Sequence, residues 1–312
     1  MRTLLPLLAL IGACSAPPSD SGDGTLDARV EVPDPGDGNL QYLSGDLAIP
    51  AREQRQYCTF FTYDGPDTAV HQAESYQDPS FGHHVFLLKT FLSVQDAPDG
   101  YTMDCTSVED FNMAQTDELY IPEPKGDGRT GMELPDGMAV KLTSGTRLVL
   151  QSHFINYSDQ PIVAADGVNL ELMDPADVTT WAAPFAQTTL DIHLPPHETT
   201  TIHLDCGWDK DVNLLFLIGH MHENGVAFSI DDETADETDR IYDVPTWTPY
   251  YRDNPPVNRY AAGEFQVKAG DVFHTTCTWD NETDEELTFP SEMCATVGIA
   301  YPSEEPLYCA HF

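Results

Sequence analysis

From about residue 41 onward the chain is a succession of short runs in which apolar and polar residues alternate, or in which several apolar residues stand together. The runs at 57–63, 84–92, 147–155, 168–173, 199–204, 212–218, 226–230 and 295–301 are rich in Val, Ile, Thr, Phe and Tyr. Period-two alternation puts one face of a strand on a core and the other in solvent. Gly, Pro, Asp and Asn punctuate the runs, as turns require. No stretch carries a long helical period, and no internal repeat is evident. The pattern predicts an all-β protein made of two tandem antiparallel β-sandwich, jelly-roll-like domains. Their expected extents are 41–186 and 187–312, parted near the segment APFAQTTL at 183–190.

The first residues break this pattern. MRTLLPLLALIGAC has one Arg, an apolar run over 4–11 and then small residues before Cys14. That is a secretion signal, too short to span a bilayer stably. Ile11-Gly12-Ala13-Cys14 has the form of a bacterial lipobox, which predicts a signal peptide over 1–13 and lipidation of Cys14. The alternative is an ordinary secretory signal with an incidental Cys. Residues 14–40 begin CSAPPSDSGDG, a composition suited to a flexible tether behind an anchor. The expected location is the bacterial cell envelope, with the membrane touched only through the lipid.

Charge narrows the function. Against 52 acidic residues stand 14 basic ones, a net charge of −38. A surface so negative repels phosphate and excludes nucleic acid as a partner. Beyond Cys14 the cysteines are Cys58, Cys105, Cys206, Cys277, Cys294 and Cys309. An even set in an exported chain points to three disulfides, whose pairing sequence alone leaves open.

The candidate chemistry lies in the histidines. His220 and His222 follow the apolar run Leu214-Leu-Phe-Leu-Ile-Gly. In a strand, residues two apart share a face, so both imidazoles can meet one ion. Alone, His-x-His is a common pair among surface and core histidines. His83 and His84 are adjacent and face opposite ways in a regular strand. Gly82 would permit the bend that brings both to one ion. His153 interrupts the apolar run Leu148-Val-Leu-Gln-Ser-His-Phe-Ile and, if buried, needs a partner. Met293 stands beside Cys294. Imidazole with thioether in an oxidising compartment selects copper, and paired cysteines disfavour thiolate-held zinc or blue copper.

In order, the motifs are Cys, His-His, Cys, Gln-x-His, Cys, His-x-His, Cys, Met-Cys and Cys. This series resembles the copper type II, ascorbate-dependent monooxygenases, the family of peptidylglycine α-hydroxylating monooxygenase and dopamine β-monooxygenase, over roughly 45–312. The resemblance implies two β-sandwich domains with one copper each. His83, His84 and His153 would hold the electron-donating copper. His220, His222 and Met293 would hold the oxygen-binding copper, and Gln151 matches the family's Gln two residues before the third His. The implied disulfides are Cys58–Cys105, Cys206–Cys309 and Cys277–Cys294. Copper and an ascorbate-type reductant follow as cofactor and co-substrate, with dioxygen and a small organic molecule as substrates.

The chain departs from the peptide-hydroxylating member at its carboxylate clamp, where Ile218, Ala295 and Val297 replace the polar residues. A glycine-extended peptide is therefore not the expected substrate. A copper-binding or sequestering lipoprotein on the same scaffold is the competing reading, and an adhesion module with incidental histidines is a third. His71, His193, His197, His203, His274 and His311 read as surface or packing residues. Asn156-Tyr-Ser and Asn281-Glu-Thr match glycosylation sequons, and 246–256 (TWTPYYRDNPP) reads as a structural turn, with a substrate-shaping loop as the alternative.

Overall fold

The computed structural model describes residues 19–20, 24–107, 117–118, 123–124, 130–252, 254–289 and 291–311. Residues 1–13, read above as a signal peptide, and Cys14 lie outside the described residues. Among the described residues no helix is long and apolar enough to cross a membrane. The regular structure is almost entirely β, with two short 3₁₀ turns at Pro175–Asp177 and Pro249–Arg252. It forms antiparallel sheets packed as sandwiches, as the alternation predicts.

The first half contributes β1 (Gln54–Thr62), β2 (Thr68–Tyr76), β3 (Gly82–Lys89), β4 (Met138–Leu142), β5 (Arg147–Ile155) and β6 (Gly167–Met173). The connecting strand β7 is Thr180–Thr189. The second half contributes β8 (Glu198–Gly207), β9 (Val212–His220), β10 (Gly225–Glu233), β11 (Thr238–Val244), β12 (Val272–Asn281) and β13 (Cys294–Tyr301). One sheet of the first half runs β1-β5-β3, and one of the second runs β8-β12-β10-β11. Opposite them lies a single larger sheet whose path includes β2-β4-β7-β13-β9. It passes from one half to the other through β7, parallel to β4 at Met138↔Thr180 and antiparallel to β13 at Ala183↔Ala300.

β12 shows why these sequences make strands. Phe273, Thr275, Cys277 and Trp279 are buried, while Asp280 is exposed and His274, Thr276 and Thr278 are half-buried. β9 is different, because it is apolar on both faces. Leu214 and Leu217 belong to the core of the second half, and Leu215, Phe216 and Ile218 to that of the first. A bulge between Leu214 and Phe216 turns Leu215 and Phe216 toward the first core together. A strand with a core on each side needs a continuous apolar run, which accounts for the residues that precede His220.

The two halves repeat one another, contrary to the expectation of no internal repeat. Gln56 pairs with His153 between β1 and β5, and Thr201 with Thr278 between β8 and β12. Each pair is entered through a Pro-containing turn. Arg52 (φ 61°) after Ile49-Pro50 matches His197 (φ 57°) after Leu194-Pro195. Gly145 (φ 81°) and Gly270 (φ 104°) precede β5 and β12, and Asn156 and Asn281 follow at the same spacing.

These two asparagines are the sequon residues, and both are buried, at 1% and 0% exposure. Asn156 Nδ2 donates to Ile49 O, Pro50 O and Gln160 O, while its Oδ1 accepts from Ser158 N and Oγ. Asn281 makes the matching set with Leu194 O, Pro195 O, Glu285 O and Thr283. The Asn-x-Ser/Thr spacing here closes a turn. The repeat escapes sequence inspection because shared positions are held by backbone geometry and by single Gly, Pro and Asn residues.

All six described cysteines are paired, as Cys58–Cys105, Cys206–Cys309 and Cys277–Cys294. These are the pairs the resemblance implies.

Candidate metal centres

The first centre grows out of a bulge. In the β3–β5 pair His153 faces His84, and the next pair is Phe154 with Gly82, so His83 is the extra residue. The bulge turns two adjacent side chains toward one point. Gly82 is required by a close approach, since a Cβ there would meet Asp78 O at 2.6 Å as well as the Gln77 side chain. His83, His84 and His153 offer ring nitrogens that all lie within 4.8 Å of one another. His83 Nδ1 and His84 Nδ1 are 2.7 Å apart, one donating to the other. His153 Nδ1 is buried with no hydrogen-bond partner, while Nε2 is turned to Gln54 Oε1 at 3.3 Å. A buried nitrogen with a lone pair and no donor beside two others is what a metal ion would satisfy.

Behind the cluster lies support that the sequence did not single out. Gln77 Nε2 reaches His84 O and His153 O at 3.1 Å each and Asp166 Oδ2 at 3.0 Å. Ser152 Oγ donates to Asp166 Oδ1 at 2.7 Å. Burial pushes the Asp166 carboxyl up to about 6, against the pull of its donors Ser152, Ser44 and Gln77. Gln151 is buried on the same strand face as His153. No signal in the sequence connects Gln77 or Asp166 with the histidines, because Gln77 reaches them through backbone carbonyls and Asp166 only through Gln77 and Ser152.

The second set follows β9. His220 ends the strand, and His222 lies in the turn after it with ring centroids 5.1 Å apart. His222 Nδ1–H donates to Ser291 O at 3.0 Å, which leaves Nε2 with the lone pair. Met293 is half-buried just before β13. Beside it Glu292 is fully buried. Its Oε2 accepts from His222 N (3.0 Å) and Trp279 Nε1 (2.9 Å), and its Oε1 from Asn224 N and Nδ2 (2.8 Å each). Burial raises the Glu292 pKa and these donors pull it back.

The two sets lie near enough to act on one another electrostatically. His84, His153 and His220 are all held neutral well below the ordinary imidazole value. Burial is the largest cause in each, followed by the other imidazoles. For His84 those include His220, for His220 they include His83, and for His153 they include His222. Arg252 adds to all three. It comes from the segment read as a structural turn, its side chain is only 13% exposed, and it pairs with Glu223 next to His222. Trp247 Nε1 donates to His222 O at 3.0 Å, tying that segment to the same turn. Of the positions at the missing carboxylate clamp, Ile218 and Val297 pack on the first core, and Ala295 stands opposite His220.

No known family description and no curated protein matches the chain. Among solved structures, that of the infectious bursal disease virus Gx strain aligns at 10% identity and a TM-score of 0.21, covering 86% of this chain and 74% of its own. The VP2 subviral particle of infectious bursal disease virus aligns at 7% identity and 0.20, covering 88% and 74%. Similarity this low carries no argument about fold or function.

Proposed function

We propose that the protein is a copper-dependent monooxygenase that hydroxylates a C–H bond of a small organic substrate, using dioxygen and an ascorbate-type reductant. The observation that carries this reading is that two differently built imidazole sets, one from each half of the chain, depress one another's pKa values. His83, His84 and His153 present converging nitrogens with one buried lone pair unsatisfied. His220 ends β9, and His222 lies in the turn after it, to which the Met293 segment is fastened. Imidazole with thioether is a donor set for copper. Bound copper would supply one-electron storage and dioxygen activation, with two electrons from the reductant, one oxygen atom entering the C–H bond and the other leaving as water. The chain's own part is to hold the imidazoles neutral and oriented, and to shield them from water. Three disulfides suit export, and the Cys14 lipobox would anchor the protein in the cell envelope.

The test is copper content of the soluble chain 15–312 after loading and removal of free ion, followed by ascorbate-dependent oxygen uptake. Two tightly held copper ions per chain are expected. Met293→Ala should abolish turnover while the His83/His84/His153 copper stays loaded, and normal turnover in that variant would sink the assignment. Two copper ions with no oxygen uptake under any substrate would instead favour a copper-sequestering lipoprotein.

A further inference from the structure

We infer that Glu292 is a positioning residue which sets the approach of Met293 to the His220/His222 pair, an inference that rests on the copper reading of that pair. The four residues Ser291-Glu292-Met293-Cys294 are each tied to one place or flank one that is. Ser291 O fixes the His222 imidazole, and the Glu292 carboxylate takes the His222 and Asn224 amides, the Asn224 side chain and the Trp279 indole. Cys294 is bonded to Cys277, two residues before Trp279 on β12. The Met293 side chain takes no part in this fastening, and it sits between two fixed neighbours, Glu292 and Cys294.

The chemistry of the clamp is specific for a carboxylate. All four partners are donors, two to each oxygen, and an acceptor-only group satisfies them together. An amide in its place would turn an NH₂ against two donors in either orientation. A buried carboxylate is costly unless so paired, so a simple apolar contact would be the cheaper way to hold a turn. What the carboxylate adds is direction: it fixes the backbone of His222 relative to the backbone of Met293. Copper–thioether bonds are weak, and a weak soft ligand depends on being placed.

Glu292→Gln in the copper-loaded full chain tests this. Expected is an unchanged copper count, with the copper–sulfur signal in the X-ray absorption spectrum of the reduced protein lost or much weakened. Turnover should fall on the order of 100-fold with KM little changed. Deuterium exchange of the His222 and Asn224 amides should speed up in the same variant. A copper–sulfur signal equal to that of the unaltered protein would overturn the inference. If the unaltered protein shows no copper–sulfur signal, the copper reading of this pair is what fails. The clamp is then judged on amide exchange alone, where unchanged protection overturns it and lost protection upholds it. Should Glu292→Gln not fold, Asn224→Ala removes a single side-chain donor and is read in the same way, with a smaller loss.

Discussion

His153 is buried and His84 and His220 are half-buried, and their neighbours are other histidines and an arginine, so each holds its proton less tightly than imidazole in water. The folded-state pKa is depressed. As pH falls below the ordinary value near 6.5, the unfolded chain takes up protons that the folded chain refuses, and the metal-free fold loses stability. For a metal the same shift is helpful, because protons do not compete until the pH is well below that of a free imidazole. Copper affinity is therefore expected to stay nearly flat from about pH 7.5 to about pH 6, measured by competition with a chelator of known pH dependence. A steep fall across that window would mean the imidazoles titrate as free ones do. The residue types and their spacing made His83, His84, His153, His220 and His222 legible as a candidate set. Glu292, Gln77, Asp166 and Arg252 were not legible, since Glu292 and Gln77 act through backbone groups, Asp166 through the side chains of Gln77 and Ser152, and Arg252 from a loop that sequence alone reads as a turn.

At the scale of single elements, strand character follows from the sequence wherever one face is solvated, as in β12. β9 was legible as an apolar run but not as a strand lying between two cores, because periodicity cannot show what covers the second face. The solvent side of the β8-β12-β10 sheet carries a further ionic group. His274 Nδ1 lies 2.7 Å from Asp205 and Nε2 2.8 Å from Glu233. Hydrogen bonding to Asp205 is the largest cause that raises its pKa above the ordinary value. Its charged form is favoured by folding, so its contribution is fully present below about pH 6.5 and is lost as pH rises through the folded-state value. With a third of the side chain exposed, the effect is small. His274→Gln should lower Tm most in mild acid and leave it unchanged at alkaline pH, as read by thermal melts across pH. An equal loss at all pH values would show that packing, not charge, is what His274 supplies.

The whole molecule is two copies of one plan that carry their metal candidates in different places. The bulge that presents His83, His84 and His153 recurs in the second half, where Thr278 faces Ala227, Trp279 faces Gly225 and Val226 is the extra residue. The backbone for a three-imidazole site is thus present twice and the side chains once. Val226→His, Ala227→His and Thr278→His together should add one metal-binding equivalent, counted by isothermal titration against the unaltered chain. No added binding would mean that the repeat does not extend to side-chain direction. Two tandem sandwiches were legible in the spacing of the strands and turns. The register that makes the halves equivalent was not, because it is written in pairings between strands far apart in the chain.

The large sheet that runs through β7 into both halves, and the strand β9 that serves both cores, also bear on timing. Opening the two halves would mean tearing a hydrogen-bonded sheet and exposing apolar surface on both faces of one strand. The gap between the two sets of histidines is therefore set when the chain folds, before any substrate arrives. On the proposed monooxygenase reading, turnover should be as fast in viscous glycerol or sucrose solutions as in plain buffer once substrate saturates, because no swing of one half against the other would be needed.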